Sequence, residues 1–509
     1  MKAMKLNPLN KPSSESLIQD SYETLQKTYT DEIIIAICGQ LGTDLRLIVK
    51  NLTDSLKNDF AYEVETISLS KMIFNISNEE EPTDEFSRIN KGMDLGNNLR
   101  NKYNKHILAD FAIAEISKSR LQETSTENIR LERFSSRRKC FIINSLKNPE
   151  EYRHLRLVYG STLYLLGVFS PYDDRVKFLQ EKFKREDYGK IGEIINRDTG
   201  EDIQFGQKVE DVFIESDYFI RTYRNDTTIS HRIDRFLNLL FDYQINTPKP
   251  EERAMYHAAS AAASSACLSR QVGACITDSK GEILSVGWNE VPCAGGGVYE
   301  SNENGENDCR CYKNKKCANS SKKQSMKDDI IRLLKSNDLI NLENENKISD
   351  ILELKLKGLI EFARSIHAEM HAIVIGSQKT GDKMKNGKLF CTTYPCHNCA
   401  RHIVLAGISE IYYIEPYRKS LCIELHSDAL TEQEQDNSGK VKILMYEGVA
   451  PKMFMKFYQL TTDNRKNKVT DGDNRNNLSP KHRISLRALN QKEAISVKFL
   501  EQKKLINLD

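Results

Sequence analysis

Two short motifs in the second half of the chain constrain its fold more than any other feature: HAE at residues 367–369 and PCHNC at residues 395–399. Each motif opens a segment whose apolar spacing is typical of a helix, and the apolar run KLFCTTY between them is typical of a strand. A second strand-like run, EIYYIEP, follows the second motif. The pattern predicts helix, strand, helix and strand in that order, with one motif at the start of each helix.

The residue types in these motifs indicate a catalytic metal centre. His367, Cys396 and Cys399 offer one nitrogen and two thiolates, which suit Zn²⁺, and three protein ligands leave a fourth position for water. Such water is acidic enough to supply hydroxide near neutral pH. Glu369 lies two residues from His367 and can point at that water without binding the metal. A structural C-x-x-C zinc site, or a chance pair of motifs, does not explain why both motifs open helices, where the positive helix end favours thiolate.

The bulk composition narrows the classes of protein that fit. The chain has 509 residues, too many for one core, so two or three domains are expected. It carries 74 Lys and Arg against 72 Asp and Glu, so no global basic field marks a general nucleic-acid binder. The sequence has neither a run approaching about 20 apolar residues nor a secretory signal at its start. We therefore expect a soluble, cytoplasmic protein whose twelve cysteines are metal ligands or buried thiols rather than disulfides.

The order of predicted elements gives an α/β protein with two domains. The first 30 residues are polar and are expected to be peripheral. DEIIIAICGQLGTDLRLIVKNL then predicts a buried strand, a glycine turn and a helix, an order typical of a parallel sheet. We place the first domain at residues 31–245, because NTPKPEE at 246–252 is the best linker. The second spans 250–460, with a polar insertion at about 301–358, and a polar tail, predicted to be partly disordered, covers 461–509.

Longer phrases extend the comparison beyond the metal motifs. A His-x-Glu followed by Pro-Cys-x-x-Cys is the signature of zinc nucleobase deaminases. The phrases LSRQVGACI, GWNEVP, HAEMHAI and TTYPCHNCA are similar to the deoxycytidylate deaminase family. Together with DLGNNLR, NSLKNPEEY, LRLVYG, GQKVEDVFIESDYFI and CAGGGVY, they resemble the antiphage deoxycytidine nucleotide deaminases. That family joins a P-loop-kinase-like domain to a deaminase domain, and the resemblance covers about residues 31–449.

The resemblance implies a fold and a function. It implies an N-terminal P-loop-kinase-like parallel α/β domain followed by a cytidine-deaminase-like domain with a mixed sheet flanked by helices. The implied reaction is zinc-dependent hydrolytic deamination of dCTP or dCMP to dUTP or dUMP, which depletes the dCTP pool during phage infection. Water activated on the metal attacks C4 of cytosine, and Glu369 moves the protons. Asn289 matches a position that contacts the nucleoside in family members, with a turn asparagine as its plainer interpretation. Arg270 precedes the first strand of the second domain and either meets a phosphate, supports the site, or is a solvated arginine at a helix end.

The glycine loop of the first domain is Gly39-Gln40-Leu41-Gly42-Thr43-Asp44. It follows a buried strand, where a phosphate-binding loop would end in Gly-Lys-Ser/Thr. Here Thr43 and Asp44 stand instead, and an aspartate repels phosphate. We therefore predict that Gly39, Gly42, Thr43 and Asp44 contribute to nucleotide binding or regulation rather than to phosphoryl transfer. A plain turn between strand and helix is the competing interpretation.

The expected partners of the protein are a nucleotide or small-RNA regulator and a second copy of the chain. No association with a membrane is expected.

Other histidines and cysteines carry weaker signals. His371 lies one helical turn after His367 and is expected to support the metal ligands without binding metal; His397 and His402 carry no signal of their own. A second, structural zinc on Cys293, Cys309, Cys311 and Cys317 competes with simple reduced thiols, because the C-x-C-x5-C spacing matches no zinc pattern.

Two rival functions remain open from the sequence. A polynucleotide deaminase acting on cytidine or adenosine in tRNA or single-stranded DNA would use the same zinc chemistry. It predicts a basic, aromatic-lined groove, which the near-neutral charge disfavours. A regulatory or scaffolding protein with a dead deaminase domain is the other rival, and the presence of all four chemical residues argues against it.

Overall fold

The computed structural model describes residues 25–26, 28–122, 136–201, 203, 205–224, 226–301, 308–356, 358–417, 420–459 and 475–506. Most of the first 30 residues, predicted to be peripheral, lie outside the described residues, as do residues 461–474 and 507–509 of the predicted polar tail. Among the described helices, none is both long enough and apolar enough to cross a bilayer.

The strands, in chain order, are β1 Tyr29–Thr30, β2 Ile33–Gly39, β3 Glu63–Ser68, β4 Lys139–Asn144, β5 Leu163–Phe169, β6 Tyr218–Arg221, β7 Gly273–Thr277, β8 Ile283–Trp288, β9 Lys388–Thr393, β10 Glu410–Glu415, β11 Leu430–Thr431, β12 Val441–Met445, β13 Gly448–Val449 and β14 Ile484–Ser485.

The α-helices, in chain order, are α1 Leu45–Asn58, α2 Leu69–Ser77, α3 Glu85–Lys102, α4 Ile107–Gln122, α5 Pro149–Tyr159, α6 Tyr172–Gln180, α7 Ile191–Thr199, α8 Val209–Phe213, α9 Ile229–Leu240, α10 Pro250–Ala262, α11 Ala318–Ser336, α12 Leu342–Leu356, α13 Ala368–Thr380, α14 His397–Leu405, α15 Cys422–His426, α16 Phe454–Tyr458 and α17 Leu486–Gln502.

The first half of the chain builds a largely parallel sheet in the order β13-β6-β5-β2-β4-β3. Strands β2 to β6 pair in parallel, and only β13 is antiparallel. Every residue of β2 and β5 is buried, because helices cover both faces of a parallel sheet and favour continuous apolar runs. The predicted strand, glycine turn and helix at the start of this region are β2 and α1. The α/β class is therefore confirmed here.

Residues from the C-terminal part of the chain complete this first sheet region. Strand β13 pairs with β6, β14 pairs with β1, and α17 packs against α4 and α5. A buried ion network joins Arg120 of α4 to Glu32 and to Glu493 of α17. The predicted polar tail therefore includes an ordered helix whose Leu489 and Leu500 are fully buried. A few regularly spaced apolar residues are enough to hold this helix in place, because helices from the first half of the chain cover them.

The second sheet is mixed, with the order β11-β12-β10-β9-β7-β8. Strands β7 and β8 form the predicted hairpin, and β9, β10 and β12 run parallel to one another. Two glycines allow helices to approach this sheet closely. A Cβ at Gly273 would lie 1.9 Å from Ala258 O of α10, and one at Gly287 would lie 2.4 Å from Ala372 N of α13. The mixed sheet flanked by helices confirms the predicted class of this region.

One buried carboxylate joins the two sheet regions. Glu252, at the start of α10, accepts hydrogen bonds from Val449 N of β13, from Arg235 of α9 and from Tyr458. Its residue is 1 % exposed. The predicted linker at 246–252 therefore ends in a helix start that is fixed to both regions.

Candidate metal centre

Two helix starts place the metal-ligand candidates. His367 is the N-cap residue of α13, and Cys396 is the N-cap residue of α14, where its Sγ accepts a hydrogen bond from Cys399 N at 3.4 Å. Strand β9 lies between these helices in the chain, as predicted, and both helices pack at the same region of the second sheet. The two motifs, which are separate in sequence, therefore meet in one place.

The three candidate ligand atoms converge. Nδ1 of His367 lies 3.2 Å from Cys399 Sγ and 3.3 Å from Cys396 Sγ, and all three atoms lie within 4.8 Å of one another. In a tetrahedral zinc centre, nitrogen and sulfur ligands lie about 3.6 Å apart, given Zn–N and Zn–S bonds of about 2.1 and 2.3 Å. The spacing therefore fits a zinc ion held by one imidazole and two thiolates.

The charges around these atoms also suit a divalent cation. Hydrogen bonding from Cys399, followed by that of His367, lowers the pKa of Cys396 to about 4, and the hydrogen bond with Cys396 raises the pKa of His367 to about 9. Burial raises the pKa of Cys399 well above its usual value. The two buried thiols share one imidazole nitrogen, and a bound Zn²⁺ would ionise a coordinating thiol outright.

Glu369 lies in the first turn of α13 and is 4 % exposed. Burial raises the pKa of its carboxyl above the usual value, and the nearby His367 opposes that rise. It is not one of the three clustered ligand atoms. A buried carboxyl with a raised pKa, beside but not within a metal-ligand set, can accept a proton and return it near neutral pH.

A cavity of about 310 Å³ opens beside these groups. Its lining includes His367, Glu369 and Cys396, together with Asn289 and Arg270. Its volume lies at the lower end of the range for small-molecule sites, about 300–1,000 Å³. The predicted zinc ligands, proton carrier and substrate-binding residues of the second domain thus line one cavity, apart from the deeply buried Cys399.

Asn289 and Arg270 have protein partners within this cavity wall. The side chain of Asn289 donates to Arg270 O at 2.8 Å and accepts from Val272 N at 2.7 Å, so its amide holds the loop that precedes β7. Arg270 forms an ion pair with Glu415 at 3.1 Å, and its side chain is 43 % exposed. Asn289 therefore shapes the cavity through the backbone, and Arg270 stands at its rim.

The polar insertion contributes a wall that the sequence did not predict. Residues 317–320 and Lys323 line the cavity at the start of α11. The insertion is attached at its base by Arg310, which pairs with the buried Glu290 at 3.4 Å, and by Arg364, which donates to Cys309 O at 2.7 Å. Buried arginine inside a charged loop is not visible in composition, so no sequence signal singled out this role.

The other histidines and cysteines that the sequence pointed to near the candidate metal centre behave as structural groups in the described part of the chain. His371 Nδ1 lies 3.0 Å from Trp288 O, and the two rings pack edge to face. His402 bonds Asn398 O within its own helix, and His397 lies 3.7 Å from Glu361. The four cysteines suggested for a second zinc do not form a ligand cluster among the described residues: Cys293, Cys309, Cys311 and Cys317. The simple-thiol interpretation fits them better.

The glycine loop of the first sheet borders a second cavity of about 810 Å³. Gly42 has a φ of +88°, and a Cβ there would lie 2.7 Å from Arg175 O. Thr43 is buried, and Asp44 caps α1 by accepting from Arg46 N at 3.2 Å. Gly39, Gly42, Thr43 and Asp44 thus form the loop between β2 and α1 and line the cavity.

A buried carboxylate occupies donor groups of this loop that a phosphate would need. Asp198 accepts from Leu41 N at 2.8 Å and from Lys147 Nζ at 2.8 Å, and Lys147 also donates to Gly39 O at 3.0 Å. The cavity still lies at the carboxyl ends of β2 and β4, where parallel sheets place their ligands. An internal carboxylate and Asp44 together disfavour a phosphate seated directly in the loop.

The second sheet region is similar to known proteins. Residues 248–415 match the model of the cytidine and deoxycytidylate deaminase zinc-binding region. ComE operon protein 2 of Bacillus subtilis (strain 168) is 45 % identical over 56 residues, which are 11 % of this chain and 29 % of that protein. A probable deoxycytidylate deaminase of Drosophila melanogaster is 26 % identical over 144 residues, 28 % of this chain and 48 % of that protein. The chain therefore spans less than half the length of these curated relatives.

A solved structure of dCMP deaminase from the cyanophage S-TIM5 is 19 % identical, with a TM-score of 0.22, and the match covers 40 % of this chain and all of that one. The family match contains His367, Glu369, Cys396 and Cys399 as well as Arg270 and Asn289. Residues 248–415, which hold the candidate metal centre, are thus similar to the zinc-binding region of the cytidine and deoxycytidylate deaminases.

Proposed function

We propose that the protein catalyses hydrolytic deamination of a deoxycytidine nucleotide, dCMP or dCTP, at the cavity of the second sheet. One observation carries the proposal: the converging atoms of His367, Cys396 and Cys399 lie beside the buried Glu369, in a small-molecule cavity within the matched region. The relatives named as deoxycytidylate deaminases support the choice of base and sugar.

The reaction replaces the amino group at C4 of cytosine by oxygen from water and releases ammonia. His367, Cys396 and Cys399 would hold Zn²⁺, which when bound would supply the Lewis acid that makes water nucleophilic near neutral pH. Glu369 takes a proton from the water, delivers it to N3 of the ring, and then carries a proton to the departing amine. Its burial favours this exchange, because a carboxyl whose pKa is raised protonates and ionises more evenly near neutral pH.

The cavity contains groups that suit a phosphorylated substrate. Arg270, Lys323 and Arg364 are the cationic side chains among its described lining residues. Guanidinium and ammonium groups bind phosphate through charge-assisted hydrogen bonds. We propose that Arg270 meets the phosphate and that Asn289 sets the position of the nucleoside through the loop it holds at residues 270–272.

We expect free deoxycytidine nucleotides to be the preferred substrates. Ammonia release should be fastest with dCMP or dCTP, and deoxycytidine should show a kcat/KM lower by about tenfold to hundredfold, because charge-assisted bonds to phosphate contribute about 1.5–3 kcal/mol. The measurement compares dCMP, dCTP, CMP, CTP, deoxycytidine, a cytosine-containing oligonucleotide and tRNA at equal concentration with metal-replete protein. Faster deamination of either polymer would establish the polynucleotide rival, and no deamination of any substrate would favour the dead scaffold.

The biological role that we propose follows the resemblance to antiphage deaminases. Conversion of dCTP or dCMP removes a precursor that phage replication requires. In infected cells, the intact protein should lower the dCTP pool relative to cells that carry the Glu369 variant described in the Discussion. Because regulation is essential for an enzyme that removes a nucleotide precursor, the first sheet is the natural place for a nucleotide or small-RNA regulator.

The first sheet should not transfer phosphate. Phosphoryl transfer depends on positioning and on neutralising charge, whereas Asp44 and Asp198 bring carboxylates to its glycine loop. ATP and GTP turnover by the purified chain should stay at background. Gly42→Val, which strains a left-handed backbone position against Arg175, should change inhibition or assembly while basal deamination persists. Robust nucleotide hydrolysis, or phosphate transfer to a nucleoside monophosphate, would contradict a purely regulatory role.

A further inference from the structure

Two histidines and one aspartate meet in the first sheet region, and none of them lines the cavity of the second sheet. His106 immediately precedes α4, Asp110 lies one turn further along that helix, and His154 lies on the neighbouring helix α5. The C-terminal helix α17 touches the same place, since Ser496 Oγ lies 3.1 Å from His154 Nε2. Three segments that are distant in sequence therefore converge on one small cluster.

Both imidazole rings lie next to the carboxylate of Asp110. Nε2 of His154 lies 2.8 Å from Asp110 Oδ1, and Nε2 of His106 lies 3.7 Å from Asp110 Oδ2. One ligand atom from each residue can be chosen so that all three lie within 4.8 Å of one another. Nitrogen and oxygen ligands of a tetrahedral zinc ion lie about 3.4 Å apart, given bonds of about 2.1 Å. The observed separations of 2.8 and 3.7 Å lie on either side of that value.

The charge at this cluster is incomplete. The Asp110 side chain is 3 % exposed, and its Oδ2 is buried without a hydrogen-bond partner. Within the described ranges, its ion-pair partners are the two histidines, and no lysine or arginine lies within salt-bridge distance. A buried carboxylate is costly unless a cation pairs with it or a metal binds it.

We propose that His106, Asp110 and His154 hold a divalent transition-metal ion, with Zn²⁺ as the best fit, separate from the thiolate centre. Neutral imidazole and carboxylate are ligands that Zn²⁺ accepts, and a third protein ligand leaves one position for water. The side chains of His106 and His154 are 38 % and 20 % exposed, so an ion can enter from solvent. Binding of the ion would fasten α4 to α5 beside the contact of α17.

The test uses the full chain, produced without a polyhistidine tag and equilibrated in zinc-buffered solution. Elemental analysis of the wild type should give about two ions per chain, one at each centre. His106→Gln and His154→Gln should each give about one. The matched control is His231→Gln, because His231 is an exposed histidine of the same region on α9 and lies outside the cluster. Circular dichroism establishes that each variant is folded, and His106→Gln perturbs the packing least.

Cobalt substitution tells the two centres apart. The thiolate centre gives sulfur-to-cobalt charge-transfer absorption, and a nitrogen and oxygen centre gives only d–d absorption. The charge-transfer band should be the same in wild type, His106→Gln and His154→Gln, while one equivalent of cobalt and its d–d absorption are lost in both variants. One ion per wild-type chain in excess zinc, or two ions retained in both cluster variants, would overturn the proposal, whatever the deaminase activity proves to be.

Discussion

Glu369→Gln lowers kcat for deamination by about 10²–10⁴-fold, the range that a general acid–base group contributes, and leaves zinc content unchanged. Glutamine keeps the size of the side chain but cannot exchange a proton. Glu369 is also outside the cluster formed by His367, Cys396 and Cys399, so the metal should remain in place. The two readouts are ammonia release under saturating nucleotide and elemental analysis of the same sample.

The control for this variant is Glu424→Gln, an exposed carboxyl on α15 in the same region. It should keep wild-type turnover and zinc. If Glu369→Gln deaminates at a rate near wild type with zinc in place, Glu369 is not the proton carrier. If that variant loses zinc, its carboxyl supports the metal rather than the proton transfers, and the assignment also fails.

Cys396→Ser and Cys399→Ser should each lose one equivalent of zinc and all measurable deamination. A hydroxyl is a poor zinc ligand beside a thiolate, and the remaining two ligands do not make a tetrahedral centre. Metal that binds only the folded state also adds to stability, so the midpoint of thermal unfolding should fall. Cys399→Ser should have the larger effect on stability, because Cys399 is fully buried and Cys396 is 6 % exposed.

The matched control is Cys309→Ser, which changes an exposed cysteine of the insertion. It should retain the zinc content, turnover and unfolding temperature of the wild type. Full zinc content in both Cys396→Ser and Cys399→Ser, measured after weakly bound metal has been removed, would show that these thiols are not the ligands. Loss of zinc in Cys309→Ser would instead revive a metal site in the insertion.

The convergence of the candidate metal ligands could be predicted from the sequence because the signal that indicates it is local. Each motif sets ligand type and spacing within a few residues, and each lies at a helix start that the apolar pattern also predicts. The hairpin of β7 and β8 was predicted for the same reason: the turn residues Asp278 to Gly281 lie between two apolar strands. In both cases the residues that determine the structure lie within a few positions of one another in the sequence.

The cavity wall and the C-terminal helix could not be predicted because they depend on distant contacts. Lys323 belongs to the insertion that lines the cavity. The base of this insertion is held by the ion pair of Arg310 with Glu290 and by the hydrogen bond from Arg364 to Cys309 O. Leu489 and Leu500 are buried only because α17 meets α4 and α5. A polar composition indicates exposure on average, and it does not reveal a few apolar residues whose partners lie hundreds of positions earlier.

The role of Asn289 shows a third limit. Its place in the second domain was predicted, but its amide bonds go to the backbone at Arg270 and Val272. The loop in the first region shows the same limit, since the carboxylate of Asp198 comes from α7, far from Gly39 and Gly42 in the sequence. A motif indicates which residue lies at the site. The hydrogen bonds of the folded chain then determine which of its polar atoms remain available to a ligand.

The contact of α17 with α4 has a consequence for how the protein is made. Domains generally fold in order as the ribosome releases them. Here the second sheet has all its strands between residues 273 and 445, so it can close before β13, β14 and α17 emerge. The first sheet region is synthesised earlier, but it cannot complete its fold until Glu493 has been synthesised. Until then the ion pair of Arg120 and Glu32 lacks its third member. The part of the chain that is translated first is therefore the part that is finished last.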